Sequence, residues 1–196
     1  LDGLKFRISA TSFYQVNPSQ TVTLYRKAVE YAGLTGRERV LDAYSGVGTV
    51  SLFMARAARE VYGIESVRTA VHDARANVEL NAITNARFIE GRVERVLPAL
   101  LREGVTFDVA VVDPPRAGCD REALLALAGG ATDSDGTRAF GGVPQIVYIS
   151  CNPSTLARDL AILSGLDYRI VEVQPVDMFP HTHHVETVVL ITRVTK

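Results

Sequence analysis

Residues 40–52 read "VLDAYSGVGTVSL". An apolar run, two glycines two residues apart and a second apolar run with helical spacing predict a strand, a tight turn and a helix. Glycines at Gly46 and Gly48 let the backbone come close to a ligand, and the helix that follows points its N-terminal amides at the turn. The pattern is G-x-G-x-x-S: Ser51 stands where a dinucleotide-binding fingerprint carries its third glycine. A tight turn without a ligand is the plain alternative, so residues further along must decide.

Outward from this stretch the chain alternates. Strands are predicted at 39–44, 60–65, 86–91, 107–113 and 145–150, with helices at 18–33, 48–58, 67–82, 121–129 and 153–165. Near-continuous Val/Ile/Leu runs fit strands buried on both faces, and strand–helix alternation implies right-handed crossovers in a doubly wound, mostly parallel α/β sheet. The last two strands, 168–177 and 185–194, have no helix between them and are expected to form an antiparallel C-terminal hairpin at one edge, giving seven strands. Residues 129–143, rich in Gly, Asp and Ser, read as a mobile loop.

In such a sheet, ligands sit beyond the carboxyl ends of the strands. Glu65 ends the second strand about 20 residues after the glycine turn, where a carboxylate accepts both ribose hydroxyls. Asp42 places an anion near the first turn. A pyrophosphate is disfavoured there, whereas the sulfonium and ammonium of S-adenosylmethionine are favoured. Asp113 opens "DPPRAG" (113–118) after the fourth strand, a turn stiffened by two prolines; it is expected at the methionine end of the cofactor. Cys151, in "YISCNPSTLARDL" (148–160), follows the fifth strand, with Asn152 and Pro153 suited to start a helix. It is either a small buried hydrophobe or a nucleophile whose thiolate the helix N-terminus favours. Cys119 reads as structural. "MFPHTHHVETV" (178–188) holds three histidines but no zinc spacing, so no metal is expected; Glu186 there is either a solvated strand end or a base.

The 196 residues, 47% hydrophobic and 22% charged, are those of one ordinary globular domain without a membrane span or signal peptide. Two cysteines make no disulfide framework, which favours a reducing cytoplasm, and monomer is the default expectation. A net charge of −1 means that any nucleic-acid partner is held by a local basic patch or another domain. The opening "LDGLKFRISATSF" reads like the middle of a larger protein, and a fragment is expected.

Taken in order, "SFYQVNP" (12–18), "LDAYSGVG" (41–48), "DPPRAG", "YISCNPSTLARDL" and "FPHTHHVETV" (179–188) resemble the RNA uracil-5-methyltransferases (TrmA/RumA type), which make 5-methyluridine in transfer or ribosomal RNA. The resemblance covers nearly the whole chain. It implies a Rossmann-like class I fold that takes S-adenosyl-L-methionine and yields S-adenosyl-L-homocysteine. It implies Cys151 as nucleophile on C6 of a loop uridine and Glu186 as the base that removes the C5 proton. Gln15, Tyr44, Gly46, Gly48, Glu65 and Asp113 match the family's cofactor positions. Thr49 replaces an asparagine often found in the turn, and Arg92 a smaller polar residue. The family's N-terminal RNA-binding domain, and in some members an iron–sulfur cysteine cluster, is missing from these residues. Two other readings are an amino-group methyltransferase using "DPPR", although Arg116 replaces the stacking aromatic, and a non-catalytic nucleotide-binding module.

Overall fold

The computed structural model describes residues 1–9, 12–130, 139–182 and 184–194. Strands β1 (Arg39–Ala43), β2 (Glu60–Glu65), β3 (Ala86–Glu90), β4 (Val109–Val112), β5 (Gln145–Ser150), β6 (Tyr168–Val176) and β7 (Glu186–Arg193) form one sheet in the order β3-β2-β1-β4-β5-β7-β6. β1 to β5 run parallel, and β7 lies antiparallel between β5 and β6. The order reverses at β1, which pairs with both β2 and β4, and a crevice opens beyond the carboxyl ends there.

Helices α1 (Pro18–Ala32), α2 (Thr49–Ala55) and α3 (Arg68–Leu80) cover one face, and α4 (Val93–Arg102), α5 (Arg121–Leu127) and α6 (Pro153–Ser164) cover the other. Side chains alternate across each central strand. In β5, Val147 and Ile149 enter the first core while Ile146 and Tyr148 enter the second. Both faces being buried, nearly every position must be apolar, which is why these strands read as continuous runs. β6 departs from that expectation: Arg169–Val173 are exposed because nothing packs beyond this edge strand.

The caps follow the local chemistry. Asn17 accepts the Gln20 amide at 3.3 Å and Asn152 the Ser154 amide at 3.0 Å, each followed by a first-turn proline. Such a cap stabilises a helix by ~1 kcal/mol. α1 ends at Gly33 in the left-handed conformation, φ 60°. α4 is an addition to the predicted helices; Pro98 lies inside it, where proline reads as a breaker. Most of the predicted loop at 129–143 falls on residues 131–138, outside the described residues.

Candidate active site

A cavity of about 940 Å³ occupies the crevice. Gln15, Tyr44, Gly46, Glu65, Asp113, Cys151 and Glu186 all line it, brought from six separate points of the chain. Strand register explains the last two. β5 and β7 pair with Ser150 opposite Thr187, and one step further along the same register places Cys151 beside Glu186. Glu186 is 4% exposed and Cys151 half-buried.

The glycine turn is held from below. Glu65 accepts the Gly46 amide at 3.0 Å through one oxygen and the Val67 amide at 2.7 Å through the other, so its carboxylate is fixed at the cavity wall. Tyr44 takes φ 108°, strain for a non-glycine residue at a site that lines the cavity. Gly48 is not among the lining residues. Its φ is 85°, and a Cβ there would meet the Phe88 ring at 2.8 Å and Leu52 at 3.2 Å, whereas a Cβ at Gly46, φ 52°, meets nothing within 4 Å. Gly48→Ala is therefore expected to lower stability by about 1–3 kcal/mol in chemical denaturation. Gly46→Ala should cost less stability but narrow the cavity directly.

Asp42 does not reach the cavity lining. It is fully buried beneath the turn, where Ser51 donates to one carboxylate oxygen at 2.5 Å. The strand alternation points Asp42 at α2, so Ser51, the residue in the third-glycine position, becomes its partner. Burial pushes the Asp42 carboxyl up to about 7, opposed by the Ser51 hydroxyl and reinforced by Glu65. Burial likewise raises Glu186 to about 7, with Arg116 the opposing charge. Asp113 is raised by burial and then by Glu186 and Asp42.

The expectation that helix α6 lowers the Cys151 thiol is overturned. Burial pushes the thiol up first, the Glu186 and Asp113 carboxylates push it further, and Arg116 pulls the other way. Burial is the largest cause, and β4 and β7 bring the two carboxylates to the same end of the sheet as the start of α6.

A polar clamp ties the "DPPRAG" loop to the start of α6. Asn152 Nδ2 and Thr155 Oγ1 donate to the Arg116 carbonyl at 3.2 and 3.1 Å, and Arg158 Nη2 to the Ala117 carbonyl at 2.9 Å. Fully buried Asp159 accepts the Cys119 amide at 2.8 Å and the Tyr148 hydroxyl at 2.6 Å. Cys119, also bonded to the side chain of Tyr44, is thereby structural, and its thiol is raised to about 12 chiefly by burial.

Tyr25 and Phe179 are among the lining residues to which the sequence reading gave no role. Tyr25 looks like one more apolar position of α1, yet its hydroxyl lies 3.2 Å from Thr49 Oγ1 on the cavity floor. Phe179 stacks edge-on with His184 at 6.1 Å between centroids. Among the described residues no cluster of three His, Cys, Asp or Glu side chains could hold a metal, and no helix is long and apolar enough to cross a membrane.

A buried acceptor without a partner marks what the cavity is built for. Gln15 Oε1 is orphaned at the cavity wall, on the same lining as the half-buried carboxylates of Glu65 and Asp113. An acceptor-rich, anionic cavity fits a ligand carrying donors and positive charge.

The order of the sheet and the cavity at its switch point define a Rossmann-like class I methyltransferase fold. Precorrin-6Y C5,15-methyltransferase from Geobacter metallireducens, 12% identical, shares that fold with a TM-score of 0.69 over 96% of this chain and 94% of its own. The model of the tRNA (uracil-5-)-methyltransferase family matches residues 2–194, and the chain belongs to that family. An uncharacterized RNA methyltransferase of Caldanaerobacter subterraneus subsp. tengcongensis is 55% identical over 190 residues, 97% of this chain and 40% of that protein. One from Bacillus cereus is 54% identical over 193 residues, 98% of this chain and 40% of its own length. The chain thus spans about two fifths of the curated relatives it matches. The crystal structure of Pyrococcus abyssi tRNA (uracil-54, C5)-methyltransferase with S-adenosyl-L-homocysteine is 38% identical, with a TM-score of 0.76 over 98% of this chain and 43% of that one.

Proposed function

We propose that this chain is a single catalytic domain that methylates C5 of a uridine in RNA, using S-adenosylmethionine and a transient bond from Cys151 to C6. The observation that carries the reading is that Cys151 and Glu186, each one residue past the Ser150–Thr187 pair, line the same acceptor-rich cavity. When bound, S-adenosylmethionine supplies an electrophilic methyl group. Glu65 would hold its ribose hydroxyls, and Gln15 and Asp113 its cationic methionine end, with Tyr44 and Gly46 walling the cofactor.

C5 of uracil is too weak a nucleophile to take that methyl unaided. The Cys151 thiolate adds to C6, and the ring electrons move to C5 and O4 as an enolate; covalent catalysis thus divides one hard step into easier ones. Cys151 holds the ring through C6 while C5 accepts the methyl. C5 then carries both hydrogen and methyl. Glu186 takes that hydrogen as a proton, C5=C6 re-forms, and the bond to Cys151 breaks to return the thiolate. A base worth about 10²–10⁴ in rate is within the range of a positioned carboxylate. Arg116, beside both residues, favours the charged form of each. It stands where an amino-group methyltransferase would carry a stacking aromatic, which disfavours that chemistry.

The target base must leave its stack to enter so enclosed a cavity. We place the enzyme in the cytoplasm as a monomer, in keeping with two unpaired cysteines. The assay incubates this chain, and a protein of the relatives' length carrying it, with unmodified tRNA and ribosomal RNA and labelled S-adenosylmethionine, then digests the RNA to nucleosides. Label in 5-methyluridine supports the reading; label confined to N-methylated nucleosides overturns it.

A further inference from the structure

Two walls of the cavity are tied to one row of polar side chains on α3. Asp73, Asn77 and Asn81 are four residues apart and lie along one helix face, with Asp73 and Asn77 fully buried. Against them runs the extended N-terminal segment. The Asn81 amide accepts from the Lys5 N–H at 2.9 Å and donates to the Lys5 carbonyl at 2.7 Å. Asn77 does the same for Arg7, at 2.6 and 3.1 Å. Asp73 accepts the Ser9 N–H at 2.7 Å, the Ser9 hydroxyl at 2.9 Å and the Ser12 hydroxyl at 3.2 Å.

The spacings explain the match. Four helical residues rise about 6 Å and two extended residues about 6.6 Å, so each side chain meets alternate backbone units, running antiparallel. At Lys5 and Arg7 the two asparagines read backbone, as a neighbouring strand would, while Asp73 also takes the Ser9 and Ser12 hydroxyls and an ion pair from Arg7 Nε at 4.0 Å.

The second hydrogen on Asn77 Nδ2 goes elsewhere, to the Val47 carbonyl at 2.9 Å. Val47 belongs to the glycine turn and lines the cavity. On the other side of the row, Phe13, Tyr14, Gln15 and Val16 line the cavity. They hang between the Ser12–Asp73 bond and Asn17, whose Nδ2 donates to the Met178 carbonyl at 3.1 Å.

We infer that Asp73 and Asn77 are positioning residues for cofactor binding, holding the glycine turn and the Phe13–Val16 wall at a fixed separation. This rests on the reading of the cavity as the S-adenosylmethionine site. The test is calorimetric titration of the chain with S-adenosyl-L-homocysteine. Asn77→Ala is expected to raise Kd about tenfold or more while stoichiometry stays near one, because the folded protein still presents a looser site. A merely structural residue would instead lower the binding fraction and leave Kd alone, and that result overturns the inference. Lys5→Ala, which removes only a side chain that the row does not contact, should bind within twofold of the parent; a loss equal to that of Asn77→Ala overturns the backbone-reading device. Should Asn77→Ala fail to fold, Ser12→Ala decides, removing one hydroxyl without touching the core. About threefold weaker binding supports the inference and less than 1.5-fold overturns it. Absence of binding by the parent chain would overturn the cofactor reading and the inference together, whereas tight parent binding with unchanged variants overturns the inference alone.

Discussion

Cys151→Ala is expected to abolish turnover, by about 10⁴-fold or more, and to leave S-adenosyl-L-homocysteine binding within about twofold. The magnitude follows from the chemistry: without sulfur there is no addition to C6 and no enolate, and loss of a nucleophile removes the whole covalent route. Binding should survive because, in this reading, the cofactor is held by Gln15, Glu65 and Asp113 and not by the half-buried Cys151. Cys151→Ser should be nearly as inactive, since its hydroxyl is far harder to ionise beside two carboxylates. Single-turnover methyl transfer and calorimetry on the same preparations check both halves.

Glu186→Gln is expected to halt the proposed reaction one step later. The amide keeps the shape of the side chain but cannot take the C5 proton, so the methylated ring stays bonded to Cys151. A protein–RNA species resistant to denaturing electrophoresis is expected to accumulate toward one equivalent per enzyme, with net turnover down about 10²–10⁴-fold. The parent enzyme's pH profile reports the same group. Burial holds the Glu186 carboxyl near 7, above its ordinary range, so the fraction able to accept a proton grows as pH rises from about 6 to 8. Activity should rise over that interval, and in Glu186→Gln this limb should vanish from the residual rate.

These expectations depend on groups whose legibility in the sequence was uneven. The parallel strands announced themselves because burial on both faces leaves no room for polar residues, and the glycine turn because Gly48 faces the Phe88 ring. α4 did not, since Pro98 breaks the local helical signal while packing of Val93 and Leu97 against the sheet sustains it. Asp42 was placed at the ligand by its position in the strand. Its side chain instead points beneath the turn, a matter of which face of β1 is which, and that is settled only when α2 packs there with Ser51.

The thiol shows the same limit in electrostatics. Local sequence reveals the helix start after Cys151, but Asp113 and Glu186 lie 38 residues before and 35 after it and arrive only with the folded sheet. The α3 row was hidden for a related reason: Asp73, Asn77 and Asn81 gain their hydrogen bonds only when an extended segment is laid against them. Short-range rules captured strands, caps and turns, while charges and polar rows acquired their meaning from partners far along the chain.

The most direct measurement uses RNA in which uridine is replaced by 5-fluorouridine, incubated with the protein and S-adenosylmethionine. After methyl transfer C5 carries fluorine in place of the hydrogen that Glu186 would remove, and elimination stops. A stable protein–RNA adduct, mapped by mass spectrometry to the peptide containing Cys151 and bearing one added methyl, is the predicted result. Ordinary turnover without an adduct, or an adduct on a different residue, would contradict it.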